Sequence, residues 1–255
     1  MPDRFAIPGK TALVTGSSRG LGWAIAKGLA ESGAHVVINA RNADACAERV
    51  AELEAAGHQA SAAAFDAADF DAAKAAVAEI TGRQGSLDVL VNNAGMVHRQ
   101  PLLEWSDADW LRMMDVNLNS CFVLSREVAR GMVDRGWGRI INVGSVLSFV
   151  ARPTIPGYVA TKHGLAGLTK ALATEFGPKG VTANAICPGY FATELNVALK
   201  DDPEFNALVT GRTPVGRWGE PDELAGLAIY LASNDAAYMN GAIIPIDGGI
   251  VAAMY

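Results

Sequence analysis

Tyr158 and Lys162 are the two residues of this chain best spaced for proton chemistry. Around them, from Pro156 to about Phe176, small and apolar residues repeat at helical spacing. On a helix, residues four apart lie one above the other on the same face. A free phenol ionises near pH ~10 and is a poor acid or base at neutrality. An ammonium group within ~4–6 Å favours the phenolate and lowers that value toward the working range. Ser145 ends an upstream segment, RIINVGS, that reads as a strand running out into a loop. A hydroxyl there can hydrogen-bond the same substrate oxygen that the phenol protonates. By itself the pair also fits an idle surface contact between helix neighbours, so its meaning depends on the elements that position it.

Those elements alternate. KTALVT at 10–15 is a short apolar strand, followed at once by GSSRGLG and a helical pattern, WAIAKGLAESG. Strand, glycine turn and helix make the opening βα unit of a nucleotide-binding fold, with Gly16, Gly20 and Gly22 spaced G-x3-G-x-G. Such a turn lets backbone N–H groups and a helix N-terminus approach a pyrophosphate. AHVVINARN is a second strand ending near Ala40 and Arg41, and a helix is expected over 43–56 with Asn42 as N-cap. QASAAAF is a third strand running to Asp66, with a helix over 69–80 behind it. LDVLVNNAG is a fully apolar strand stopped by Asn92, Asn93, Ala94 and Gly95, whose amides are expected to tie strand ends and let the backbone touch a ribose. One long helix is expected over 106–134, with Ser106 and Asp109 resembling a capping box. Asn117 falls inside it, where an asparagine competes for backbone groups and marks a kink or a satisfied buried amide. Strand VTANAICPG ends sharply at Pro188 and Gly189, a helix spans 221–232, and AIIPID is the last strand. Residues 190–217, with Pro203 and Pro214, are less regular and read as a segment covering a cleft. Continuous apolar runs alternating with helices indicate parallel strands buried on both faces.

Composition narrows the class. The 255 residues are 50% hydrophobic, enough for a large core, and show no repeats, linker or convincing boundary, so 1–255 reads as a single domain. A net charge of −6 with scattered basic residues gives no footprint for nucleic acid. No apolar run is long enough for a membrane span, and the first ten residues have no signal character, which points to the cytoplasm. Cys46, Cys121 and Cys187 are widely spaced and read as buried small hydrophobes; with four scattered histidines, no metal site is expected.

TGSSRGLG at 15–22, NNAG at 92–95, Asn117, Ser145, Tyr158-x-x-x-Lys162 and PG at 188–189 together resemble the short-chain dehydrogenase/reductase family, over essentially the whole chain. The resemblance implies an α/β Rossmann fold: a doubly wound, parallel seven-stranded sheet in the order 3-2-1-4-5-6-7, with helices on both faces. It implies Tyr158 as acid/base, Lys162 lowering its pKa and binding the nicotinamide ribose, and Ser145 positioning the substrate carbonyl. Asn117 is implied to hold a water in a proton relay. Cofactor contacts are implied for Gly16, Ser18, Arg19, Gly20, Leu21, Gly22, Arg41, Asp66 at the adenine, Asn93, Ala94, Gly95, Pro188, Gly189 and Thr193 at the carboxamide. Members are usually homotetramers, with the helices carrying Asn117 and Tyr158 packing across a dimer interface.

AGMVHRQPLLEW, ARPTIPGY, PGYFATELN and RTPVGRWGEP further resemble gluconate 5-dehydrogenase-type members, which interconvert gluconate and 5-ketogluconate. Arg99 and Arg152 are then candidates for the sugar-acid carboxylate, whose geometry a guanidinium fork matches. Where such members often read SELARP, this chain has Phe149 and Val150, which leaves a more apolar ketone open. A 3-oxoacyl-thioester reductase shares most of these motifs, and a dinucleotide-binding scaffold without turnover is a third class, one that characteristically lacks the tyrosine or lysine. The cofactor is expected to be NADP(H), with NAD(H) possible. An acidic residue at the end of the second strand would bind the ribose hydroxyls of NAD(H), but that position is Ala40, with Arg41 beside it and Arg19 in the glycine turn.

Overall fold

Apolar, β-branched runs bounded by glycine or asparagine become strands, and the longer amphipathic stretches between them become helices. The computed structural model describes residues 4–253, apart from the side chains of Leu195 and Ala198. The strands are β1 (Thr11–Val14), β2 (His35–Ala40), β3 (Ala60–Ala64), β4 (Val89–Asn92), β5 (Gly138–Val143), β6 (Val181–Pro188) and β7 (Ile243–Ile246). They form one parallel sheet in the order β3-β2-β1-β4-β5-β6-β7. The winding direction reverses between β1 and β4, which opens a crevice at their carboxyl ends, the place where open parallel sheets bind ligands.

Alternate residues of each strand supply two cores. On one face Val14, Ile38, Val91 and Ile186 pack with Ile25 and Leu29 of α1 (Gly20–Glu31) and Leu224 and Leu231 of α9 (Asp222–Ala232). On the other, Leu13, Val37, Leu90 and Ile140 pack with Val77 and Ile80 of α3 (Phe70–Gln84), Leu124 and Val128 of α5 (Ser120–Arg135) and Leu172 of α6 (Pro156–Phe176). All three cysteines are buried and unpaired. Among the described residues no helix is long and apolar enough to cross a membrane, and no cluster of three His, Cys, Asp or Glu could hold a metal.

Local signals place most boundaries. α2 (Ala43–Ala55) begins where the Asn42 side-chain Oδ1 accepts from the N–H groups of Asp44 and Ala45. Helix α3 runs four residues beyond the expected end at Ile80, because the Arg83–Glu79 ion pair (2.7 Å) supports the extra turn and Gly85, at φ +78°, ends it. The expected single helix over 106–134 is broken. α4 (Asp107–Met114) and α5 are joined by a π-helical turn, Asp115–Asn119, with Asn117 in it. At its start Ser106 makes half of the expected box: its hydroxyl accepts from the Asp109 N–H and donates to the Asp109 carboxylate. The 190–217 stretch is more regular than its sequence suggests, holding α7 (Val197–Lys200) and α8 (Pro203–Arg212), the latter capped by Asp202.

Candidate active site

The carboxyl ends of β1, β4 and β5 carry the site, and their geometry is fixed by polar side chains. Gly16 and Gly20 adopt φ +63° and +57°, a left-handed turn costly to any residue with a Cβ. At Gly22 a Cβ would collide with the Asn93 amide and the Gly16 carbonyl. That amide is the reason for the glycine: Asn93 Nδ2 donates to the carbonyls of Thr15 (2.8 Å) and Gly16 (3.1 Å). Thr15 Oγ1 in return accepts from the N–H groups of Asn93 and Ala94, both at 2.9 Å. Asn39 Oδ1 accepts from Gly16 N–H at 3.1 Å. The NNAG loop and the glycine turn are therefore stitched into one surface, and the sequence reading overlooked Thr15 and Asn39 as its stitches. Asn92 bonds behind them to Ser125 (3.0 Å) and Asn142 (2.8 Å), tying β4 to β5 and α5.

Along the cofactor crevice, Ser18 and Leu21 are half-buried and Arg19 and Arg41 are exposed. Thr193 is 9% exposed, and its Cγ2 lies 3.8 Å from where a Gly20 Cβ would stand, so it faces the turn across the crevice. Pro188 ends β6, and Gly189 passes so close to Asp247 that a Cβ there would lie 2.8 Å from its Cα. Asp66, expected at the adenine, carries a partner that spacing could not reveal: Arg112 on α4, at 2.9 Å. Partial burial works against the Asp66 charge, but the Ala68 N–H, Arg112 and the nearby Arg41 outweigh it and hold the carboxyl below its ordinary range.

Tyr158 and Lys162 of α6 lie at the carboxyl end of β5, which Ser145 follows. Lys162 is 5% exposed and donates from Nζ to the Val143 carbonyl at 2.6 Å. The same Nζ stands 5.4 Å from the centre of the Tyr158 ring. Ser145 caps the short helical turn Val146–Ser148, its Oγ accepting from the Leu147 N–H at 3.1 Å. Among the described residues neither the Ser145 proton nor the Tyr158 phenol has a hydrogen-bond partner. Asn117 is 1% exposed and its side chain is spent on the backbone of Met96, accepting from N–H (2.8 Å) and donating to C=O (2.9 Å). Burial pushes the Cys121 and Cys187 thiols up in spite of the Lys162 charge, so both stay protonated.

The two substrate arginines differ. Arg152 is half-buried, donates to the Tyr190 hydroxyl (3.3 Å) and lies over the Phe205 ring (5.9 Å). Tyr190 in turn stacks edge to face on both Phe205 and Trp218, with Trp218 Nε1 bonded to Asn206 Oδ1 at 2.8 Å. Tyr190 in PGY and Trp218 in GRW carry no spacing signal that would join them to Phe205, and only the fold brings the three rings together. Arg99 is exposed, and its loop joins that of Arg152 through the bond from Gln100 N–H to Thr154 C=O, 2.8 Å. Phe149 and Val150 follow the Ser145 turn and are 42% and 44% exposed.

These residues fit a dinucleotide: a glycine turn at a helix N-terminus, two exposed arginines, Arg19 in that turn and Arg41 just after β2, and a buried lysine beside a phenol. The family profile described as enoyl-(acyl carrier protein) reductase matches residues 16–251. The gluconate 5-dehydrogenase of Gluconobacter oxydans (strain 621H) is 46% identical, over 99% of each chain. A 2-dehydro-3-deoxy-D-gluconate 5-dehydrogenase from Pseudoalteromonas atlantica is 44% identical over 98% of each. The crystal structure of a gluconate 5-dehydrogenase from Burkholderia cenocepacia J2315, in complex with NADP and tartrate, superposes with a TM-score of 0.95 at 46% identity, covering 99% of both chains. With its fold, its glycine turn and its Ser145, Tyr158 and Lys162 so placed, the chain belongs to the short-chain dehydrogenase/reductase family and is an oxidoreductase.

Proposed function

We propose that this protein interconverts a secondary alcohol and a ketone on a sugar acid of the gluconate/5-ketogluconate type, with NADP(H) as the preferred cofactor. The single observation that carries the chemistry is the seating of Lys162 against Val143 at the end of β5, beside the Tyr158 ring and two residues before Ser145, where two polar groups have no partner of their own among the described residues. The nicotinamide supplies or takes the hydride. Tyr158 gives the proton to the carbonyl oxygen on reduction and takes it from the alcohol on oxidation. The Ser145 proton binds that same oxygen, because its Oγ already accepts from Leu147 and is left with a hydrogen to give. Lys162 is held by Val143 beside the Tyr158 ring, with two further N–H groups that would serve the phenol and a nicotinamide ribose. The Asn117 side chain is committed to Met96, so the relay water falls to its main-chain carbonyl, inside the π-helical turn.

The names of the two relatives and the NADP complex of the third protein support the substrate class and the cofactor. Arg152, with Arg99 nearby, supplies the carboxylate contact, and Tyr190, Phe205, Trp218 and the 190–217 segment close over it. The apolar pair Phe149 and Val150 favours a second reading, a deoxygenated keto acid or a more apolar ketone, since neither side chain can bond a hydroxyl. One copy leaves Leu102, Leu103, Leu111 and Phe122 exposed at 67%, 99%, 60% and 46%, an apolar face around α4 and α5 suited to burial in a homotetramer. A single catalytic domain in the cytoplasm completes this reading. Turnover of gluconate, 5-ketogluconate, 3-deoxy keto acids, polyols and β-keto thioesters with both cofactors tests it. Activity confined to the thioesters would defeat the sugar-acid assignment.

A further inference from the structure

The glycine turn that presents Arg19 has no side-chain cap of its own. Arg19 occupies the N-cap position of α1 in an extended conformation, and its side chain makes no capping bond. The turn is held from outside by a residue of the next helix. Arg49, on α2, donates from Nε to the main-chain carbonyl of Ser18 at 2.9 Å. Its guanidinium also lies over the indole of Trp23, 4.6 Å from the ring centre. Trp23 belongs to the first turn of α1, and its N–H bonds the Arg19 carbonyl at 3.2 Å. A third contact, from Nη1 to Glu52 Oε2 at 2.6 Å, fixes the Arg49 rotamer within α2, and the Arg49 side chain is only 27% exposed. One guanidinium thus grips the chain immediately before Arg19 and the ring four residues after it.

We infer that Arg49 is a positioning residue for the 2′-phosphate of NADP(H), and that the Arg49–Ser18–Trp23 clamp helps set the preference for NADP(H) over NAD(H). The inference rests on the cofactor reading above. Arg19 is long and exposed, so pinning a phosphate costs it rotamer freedom. A turn already fixed before the phosphate arrives lowers that cost, which is how preorganisation raises affinity. The ionised donor makes the bond to Ser18 stronger than a neutral one, and only a planar guanidinium can donate and stack at once. The phosphate-facing backbone N–H groups of the turn serve both dinucleotides, whereas Arg19 serves only the one with a 2′-phosphate. Loss of the clamp therefore falls unequally on the two.

The test is the dissociation constant of NADPH and of NADH, by fluorescence titration, for the wild type and for Arg49→Leu, Arg49→Lys and Trp23→Leu. Arg49→Leu should weaken NADPH by about ten-fold, NADH by less than two-fold, and leave kcat with saturating NADPH nearly unchanged. Trp23→Leu should do the same to a smaller degree, and Arg49→Lys should recover only part of the loss. Glu52→Gln in the Arg49→Leu background should not restore NADPH binding. Restoration there would show that an unmasked Glu52 charge was responsible and would overturn the clamp, as would full rescue by lysine. Equal weakening of both cofactors would make Arg49 merely structural. A wild type that binds NADH as tightly as NADPH defeats the cofactor reading instead, whatever the variants do.

Discussion

Lys162 Nζ donates to the Val143 carbonyl at 2.6 Å, so the ammonium on α6 is seated against the last residue of β5. A buried cation needs such an anchor, since an unpaired one would lose its solvation without return. The anchor also fixes the distance between the lysine and the phenol one helical turn before it. Strand end, lysine and tyrosine behave as one unit, and the first expectation concerns them.

Tyr158→Phe should abolish turnover, with cofactor affinity nearly unchanged, because only the proton-transfer group is removed. Lys162→Met should damage both the rate and cofactor binding. Steady-state kinetics with a separate cofactor titration will decide. A Phe variant retaining more than about a tenth of wild-type kcat would remove Tyr158 from the acid/base role.

Arg152→Ala should raise KM for sugar acids by about ten- to a hundred-fold, the loss expected for one charge-assisted hydrogen bond of roughly 1.5–3 kcal/mol. Arg99→Ala should act in the same direction. Neutral ketones should be hardly affected by either. An equal loss on charged and neutral substrates would instead assign Arg152 to packing with Tyr190 and Phe205.

Arg41→Ala should weaken NADPH by about ten-fold and leave NADH almost untouched, since one charge-assisted contact to the phosphate is lost. Ala40→Asp should turn the preference toward NADH, through repulsion of the phosphate and new bonds to the ribose. The ratio of kcat/KM with the two cofactors reads both effects, and a wild-type ratio in favour of NADH would contradict the assignment.

Asp66 carries a part of the acid stability of the fold. Its carboxyl is held below the ordinary range in the folded chain, so the unfolded state binds its proton first as pH falls. The stabilisation is fully present above the unfolded value of about 4 and is lost as pH drops through the lower folded value. Asp66→Asn should remove that part of the acid destabilisation, and Arg112→Gln should reduce it. Denaturant midpoints from pH 3 to 6, on the order of the carboxylate range, provide the measurement. Wild type and Asp66→Asn losing stability in parallel would show that the Arg112 pair contributes nothing.

The amino-acid sequence alone determined the strands, the glycine turn and the Tyr158–Lys162 face, because each depends on residues near one another in the chain. Apolar runs of period two or 3.6, an asparagine cap at Asn42 and positive φ at Gly16 are local effects, and they read directly. Side chains committed across the fold did not. Asp66 and Arg112 are 46 positions apart, and Asn117 reaches the Met96 backbone across 21, so no spacing rule joins either pair. The π-helical turn at Asp115–Asn119 arises where the Asn117 amide is bound to that loop, a choice made by tertiary packing over helix propensity. The order within 190–217 was likewise settled by packing of Tyr190 and Phe205 against Trp218, whereas the extra turn of α3 rests on a local pair, Arg83 with Glu79, and on Gly85. What reads locally is the scaffold; what holds Asp66, Asn117 and Arg152 in place is the sheet that brings distant segments to one crevice.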